Sequence, residues 1–440
     1  MVERLVSVFS RETLSDLARS SKFVQRVSKF SADKFLDILI KDASGKRGMS
    51  LLDYSNELLS VHGISISAQG ICERFNDYAV AFLRRLVLVL FNQQIRQPFD
   101  HDFLKRYQCV RLWDSTKIEL PEHMAGDFPG FGGGASTSGI SIQYRYDVKN
   151  GAASSLDVFP AVKSDAKYTE EIQVEKDSLE IFDLGYFSTD FLKRLDEGGS
   201  HYVCRLHTQA EVYDLGGSKL NLKKIYRWMR LYRIGIYSKD VLIGQKRIPA
   251  RIVITLVDEQ TYQKRLKKGK NEYGKNSWKP SEEYKVRLRM NLMITNTPQD
   301  EIPDEKVYML YKFRWQIELI FKSWKSSGWN IENIKEVKYE RYMCILYAKL
   351  LMIMLSDQIF AVIARERYRQ DNELLSKGKC VKTLCEQIQL LRKLINTSIE
   401  MIGEVLEMIS RMFTRGHILC HRKHRTNYAE LIDLFICKTK

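Results

Sequence analysis

The sequence predicts a multidomain α/β protein, with helical regions at both ends and a mixed sheet between them, interrupted by a basic, strand-rich stretch. Three observations carry that prediction. The chain has 440 residues, more than one ordinary domain needs, so about two to four domains are expected. Apolar residues recur at helical intervals before residue 105 and after residue 301, and in shorter strand-like runs between them. The stretch from Tyr107 to Leu206 reads as three strands, a helix, a strand, a helix and a further strand, an order that builds a mixed α/β sheet.

Bulk properties narrow the class. A hydrophobic content of 44% supports several cores, and a net charge of +16 calls for a polyanionic partner, most simply nucleic acid. Mean hydropathy is -0.31. With no uncharged apolar run of 18 residues, this predicts a soluble protein with no membrane partner. The opening MVERLVSVFSRETL is too broken by charge for a secretory signal. Eight cysteines, at 72, 109, 204, 344, 380, 385, 420 and 437, show no disulfide framework and point to a reducing cytosol.

The elements follow in order. Leu14–Ile40 carries helical periodicity. Glu57–Phe75 reads as a short helix, a turn at His62–Gly63 and a second helix from Ser67, capped by Ser65 or Ser67. Two readings are open: a helix-turn-helix presenting Gln69 to DNA, or an ordinary helical hairpin packed under the apolar Tyr78–Asn92. Tyr107–Trp113 suits a strand ending at Asp114. Six glycines between Gly126 and Gly139 follow, without the GxxxxGK[ST] pattern of a nucleotide loop. The run from Gly139 to Val148 and Ser154–Pro160 pair about the Asn150–Gly151 turn. Ala166–Ser178 reads as helix, Leu179–Phe182 as a strand ending at Asp183, Ser188–Asp196 as helix and Tyr202–Leu206 as strand.

Residues 207–300 differ in character. Lys219–Lys270 holds 15 Lys or Arg against 3 Asp or Glu, a net of +12. Val241–Ile248, Arg251–Val257 and Tyr284–Thr295 are strand-like, and Thr261–Lys270 suits a basic helix. With Tyr226, Trp228, Tyr232 and Tyr237, this surface fits either a phosphate backbone or a plainly solvated face. Val307–Gly328 and Val337–Arg365 read as long helices, and 380–440 as mainly helical with a basic tail at Arg415–Arg425.

The chemistry concentrates in YKFRWQIELIFKSWK, residues 311–325. Helical offsets place Tyr311, Arg314, Glu318 and Lys325 on one side. Two strand-end aspartates, Asp114 and Asp183, with Glu318 on a later helix, form a carboxylate set suited to two divalent metals acting on a phosphodiester. Oxygen ligands suit Mg2+, with Mn2+ as a substitute. Arg314 and Lys325 suit phosphate contacts and Tyr311 a hydrogen bond to a phosphate. Trp315 suits either base stacking or the core, and Thr116 either support of the Asp114 loop or a local cap. His417, Cys420, His421 and His424 have zinc-binding types but lack a well-spaced second pair, leaving a phosphate-contacting patch or a solvated tail.

On these residues the chain resembles the IS4-family insertion-sequence transposases, which are DDE transposases. The Tyr-x2-Arg-x3-Glu-x6-Lys signature of that family matches Tyr311, Arg314, Glu318 and Lys325. The family's two aspartates match Asp114 in LWDST and Asp183 in DLGYF. The resemblance spans roughly residues 50–370. It implies an RNase H-like mixed-sheet catalytic core interrupted by a mainly β insertion, for which the 134 residues between Asp183 and Glu318 leave space. The expected domains are a helical DNA-binding region (1–105), the first part of the core (106–206), a basic β-rich insertion (207–300), the second part of the core (301–370) and a helical C-terminal region for DNA contact or dimerisation (371–440).

The resemblance also implies catalytic metal ligands Asp114, Asp183 and Glu318 and DNA contacts from Tyr311, Arg314 and Lys325. It implies cut-and-paste transposition by a homodimer on DNA ends, in a bacterial cytoplasm at the nucleoid. Some relatives flip a base onto a tryptophan shortly before the signature. Here Asn291–Asn296 has none, and Trp278 is the nearest. A metal-dependent nuclease without strand transfer and a non-catalytic DNA-binding protein are the alternatives.

Overall fold

The computed structural model describes residues 1–26, 29–45, 48–94, 105–130, 137–272, 280–326, 328–371, 373–395 and 397–418. Its helices are α1 Val2–Phe9, α2 Arg11–Ser20, α3 Ala32–Ser44, α4 Leu51–His62, α5 Ala68–Cys72, α6 Asp77–Asn92, α7 Asp165–Thr169, α8 Thr189–Glu197 and α9 Leu222–Leu231. They continue with α10 Glu259–Glu272, α11 Glu282–Leu288, α12 Asp304–Phe313, α13 Trp315–Ser326, α14 Tyr339–Asp371, α15 Lys377–Glu386, α16 Ile388–Arg392 and α17 Ile399–Gly416. The strands are β1 Cys109–Glu119, β2 Gly139–Asp147, β3 Ala152–Pro160, β4 Ser178–Phe182, β5 His201–Arg205, β6 Val212–Tyr213, β7 Ile236–Ile243, β8 Ile248–Leu256 and β9 Met290–Thr295. These elements form two compact units. One draws on Met1–Gln97, Ile118–Gly139 and Glu318–Arg425, the other on Pro98–Lys117 and Ile140–Ile317.

The first unit is helical and is organised around α14, which packs on α3 and α6. By length and composition α14 could cross a membrane, yet 67% of its apolar stretch is buried, as in a core helix. Its buried Lys349 is tolerated because the ammonium donates to the carbonyls of Trp329 (2.6 Å), Asn330 (3.2 Å) and Ala43 (3.3 Å). Arg392 on α16 forks onto Asp37 of α3 at 2.6 and 2.7 Å and reaches Glu57 of α4 at 2.7 Å. The helix, turn and second helix expected over Glu57–Phe75 are present in outline. Gly63 ends α4 in the left-handed region (φ 64), where a side chain would be strained, and Ser67 rather than Ser65 caps the next helix. That helix stops at Cys72, so α5 has only five residues.

The second unit carries most of one mixed sheet. Among the described residues its order is β3-β2-β1-β4-β5-β9-β8-β7-β6. The centre is parallel: β1 pairs with β4 (Leu112↔Ile181) and β4 with β5 (Phe182↔Cys204). β5 then pairs antiparallel with β9 (Val203↔Thr295), so the strands of the 207–300 zone extend the same sheet. That zone also carries α9, α10 and α11 beside its strands.

Four segments depart from the sequence expectations. β1 continues through Asp114 to Glu119, although its pairing with β4 ends at Leu112. The predicted helix over 166–178 shortens to α7, because the chain beyond it returns Glu175 to the Arg111 guanidinium. The expected strand Val241–Ile248 straddles a turn at Gly244 (φ 66) and Arg247 (φ 53), with β7 before it and β8 after it. The expected strand Tyr284–Thr295 begins as helix α11, because the Ser281 hydroxyl accepts from the Tyr284 N–H and Glu282 and Glu283 suit a first turn.

Candidate active site

Parallel strands place their carboxyl ends on one edge, where open α/β sheets present ligand groups. Asp183 follows the last residue of β4 and starts the 3-10 turn Leu184–Tyr186. Asp114 lies two residues past the last β1–β4 pair, and Arg205 ends β5 beside β4. Helix α12 packs on β4, β5 and β9 and brings Tyr311 and Arg314 to this edge.

The Arg314 guanidinium donates to Asp114 Oδ2 at 2.6 Å and lies 3.9 Å from Asp183 Oδ2. The Tyr311 hydroxyl donates to Asp183 Oδ1 at 2.6 Å, and the Ser115 N–H donates to Asp114 Oδ1 at 2.9 Å. A buried layer supports this edge. The indole of Trp113 donates to Glu180 Oε2 at 2.6 Å, and Arg111 donates to Glu180 Oε1 at 2.8 Å. Thr116 is buried within β1, which excludes a capping role.

Burial pushes the Asp183 carboxyl up, but the Arg314 charge, the Tyr311 hydrogen bond, the Leu184 N–H and the Arg205 charge together hold it below its ordinary 3.8. Burial and the Asp183 charge move Tyr311 the other way, so its phenol stays protonated and acts as a donor. Tyr311→Phe should therefore lower unfolding stability by about 1 kcal/mol, the charged hydrogen bond being discounted for Asp183 exposure. It should also raise the Asp183 pKa toward its ordinary value. Urea unfolding and carboxylate titration by NMR measure the two effects.

The signature does not lie on one uninterrupted helix. α12 ends at Phe313 and α13 begins at Trp315, with i→i+3 bonds from Arg314 N–H to Tyr311 C=O and from Ile317 N–H to Arg314 C=O. Tyr311 and Arg314 are thus engaged with the two aspartates rather than projecting freely for phosphate. Trp315 is 58% exposed, which removes the core reading. Glu318 sits half-buried in the first turn of α13, and the boundary between the units falls at Ile317–Glu318. Lys325 pairs with Glu332 at 2.6 Å within the first unit. Trp278, Cys420, His421 and His424 lie outside the described residues. His417 meets Thr383 Oγ1 through Nε2 at 2.7 Å.

Arg205 was missed from the sequence. Its only signal is the parallel register, which sets the residue after Cys204 beside the residue after Phe182. Among the described residues no group of three or more His, Cys, Asp or Glu side chains gathers as a metal site. Two carboxylates that share one guanidinium, with Asp183 held in its ionised form, nevertheless offer the oxygen chemistry that fits a hard divalent ion.

The transposase DDE domain family matches residues 106–355. Similar proteins include the transposase for insertion sequence element IS231F of Bacillus thuringiensis subsp. israelensis, 29% identical over 98% of this chain and 94% of that protein. The transposase for IS1151 of Clostridium perfringens is 27% identical over 97% of this chain and 94% of its own length. The putative transposase InsL for IS186A of Escherichia coli is 24% identical over 57% of this chain and 65% of its length.

Proposed function

The chain belongs to the transposase DDE domain family, and from that we propose an insertion-sequence transposase of the IS4 type that binds terminal inverted repeats, cuts them and joins them to target DNA. Sharing of Arg314 between Asp114 and Asp183 is the observation that carries the reading. It pairs two acidic groups with one phosphate-seeking cation on a single sheet edge.

Divalent metal dependence goes with the family. Here Asp114, Asp183 and Glu318 are the proposed ligands, with Mg2+, replaceable by Mn2+, as two ions per site. A metal bound there would supply Lewis acidity for phosphodiester chemistry. The chain's own residues do the rest. Asp183 presents an ionised carboxylate, Asp114 accepts from the Arg314 guanidinium, and Arg314 stays between the two until a phosphate competes for it. Tyr311 fixes the Asp183 rotamer through its hydroxyl and serves as a hydrogen-bond donor, the proposed chemistry needing no covalent protein–DNA intermediate. Lys325 and Trp315 are proposed DNA contacts, the second by stacking, since its ring is exposed. A homodimer on paired DNA ends, in the cytoplasm and at the nucleoid, completes the reading, with the helical 1–105 region as the main DNA-binding domain.

The test is incubation of purified protein with its cognate end DNA and Mg2+, with nicks, hairpins and joined products resolved on denaturing gels. Joining of pre-cut ends is expected. Cleavage without joining would instead identify a nuclease, and neither activity a non-catalytic DNA-binding protein.

A further inference from the structure

Helix α9 turns one side into the core and leaves the other with a composition that nothing inside the protein requires. Leu222, Ile225 and Met229 are buried, at spacings of three and four. Along the rest of the helix run two neighbouring stripes. Lys223, Arg227 and Arg230 form one, and Lys224, Trp228 and Leu231, continued by Tyr232, form the other. Trp228 is 44% exposed, Tyr232 61% and Leu231 75%. The Trp228 ring lies 5.9 Å from that of Tyr232 and 6.0 Å, edge-on, from that of Tyr237 on β7.

Charge on this surface is only partly compensated. Between Asp214 and Asp240 there are seven Lys or Arg and no acid. Among the described residues Lys224, Arg227, Arg233 and Lys239 make no ion pair. Lys223 and Arg230 act only at longer range on Glu282 and Glu259, which are already paired with Lys285 and Arg289. Other surface cations of the unit, such as Lys246 with Asp190, do take carboxylate partners. Like charges three or four apart on a helix repel, and a contiguous Trp, Leu and Tyr surface is unfavourable in water.

One kind of partner relieves both costs: a polyanion that also presents flat apolar faces. Duplex DNA offers phosphates but keeps its base faces stacked inside. A single strand offers phosphates to the cationic stripe and bases to the aromatic one. Resting on the transposase reading, we propose that the α9–β7 surface binds single-stranded DNA. Arg227 and Arg230 contact phosphates there, and Trp228 and Tyr232 stack on unpaired bases.

The test uses the full chain and fluorescence anisotropy with three probes: a mixed-sequence single strand, the same sequence as a blunt duplex, and that duplex with a single-stranded tail. Trp228→Ala with Tyr232→Ala should weaken single-strand and tailed-duplex binding by about tenfold or more and leave the blunt duplex unchanged. Trp228→Phe should retain affinity. Arg227→Gln with Arg230→Gln should weaken all three and flatten the salt dependence by about two units of slope. Arg227 and Arg230 are exposed, so that variant should melt like wild type; Trp228→Ala also removes a ring contact with Tyr237 and should melt slightly lower, and the arginine pair gives a second reading should the aromatic pair fail to fold. Wild-type binding of the single strand by the aromatic variant overturns the proposal. So does an equal loss on blunt duplex, or a loss of self-association with DNA binding intact, which would assign the surface to a second copy. A wild-type protein that neither binds nor cuts DNA overturns the transposase reading as well. End cleavage by the wild type with unchanged strand binding by the variant overturns this proposal alone.

Discussion

Asp183→Asn should lower end cleavage by at least about 10^3-fold with little change in DNA affinity, a loss on the scale of removing one transition-state charge partner. The amide matches the carboxyl in shape and keeps an oxygen to accept from the Tyr311 hydroxyl. What it loses is the charge that a divalent ion requires and that Arg314 now faces. Single-turnover cleavage with Mg2+ and an anisotropy titration on end DNA separate chemistry from binding. Cleavage at the wild-type rate would remove Asp183 from the site. Tyr311→Phe should still cleave measurably, because the proposed chemistry needs no covalent protein–DNA intermediate and the hydroxyl serves only as a donor to Asp183. The pH dependence has a definite sign. The folded Asp183 pKa lies below its ordinary 3.8, so its contribution is present above that value and is lost as pH falls through the folded pKa. Wild type should therefore lose more stability than Asp183→Asn on acidification below that range.

Arg392→Met should destabilise the helical unit by about 3–5 kcal/mol, the range for breaking a buried ion pair by removing one partner. The side chains of Arg392, Asp37 and Glu57 are only 6%, 10% and 9% exposed, so water does little to replace the lost cation. His62 lies 2.8 Å from Asp37, and Lys41 pairs with Glu57, so part of the compensation survives. Burial pushes the Glu57 carboxyl up, but Lys41 and Arg392 bring it below its ordinary 4.5. The variant should thus lose less relative to wild type at acidic pH, where the stranded Glu57 carboxylate takes up a proton. Denaturant unfolding at neutral and acidic pH measures both effects. A loss under about 1 kcal/mol at neutral pH would show that the cluster is not a structural clasp.

Much of the candidate site was legible in the linear chain. β4 and β5 stand out because short Val-, Ile- and Phe-rich runs bounded by polar residues suit buried parallel strands. Asp183 follows from the end of such a run. The boundaries that failed share a cause: local signals that compete with periodicity. Gly244 and Arg247 interrupt an apolar run with a turn, and Ser281 with Glu282 and Glu283 starts a helix where alternating residues suggested strand. Amphipathic α9 went unread because Lys223, Lys224, Arg227, Trp228 and Arg230 outnumber its three buried apolar residues, Leu222, Ile225 and Met229.

By itself the sequence determined the transposase DDE domain family, through the match over residues 106–355, and it marked Asp114, Asp183 and Glu318 as candidate ligands and residues 219–270 as a strongly cationic stretch. Spacing along a chain carries such information because helix and strand periods are local properties. Only the tertiary structure decided that Arg314 meets Asp114 across 200 positions of sequence and that Tyr311 spends its one proton on Asp183 across 128. It alone decided that Arg205 joins them and that Trp315 faces outward. Those outcomes depend on strand register and on how α12 lies over the sheet, both set by packing between segments distant in sequence.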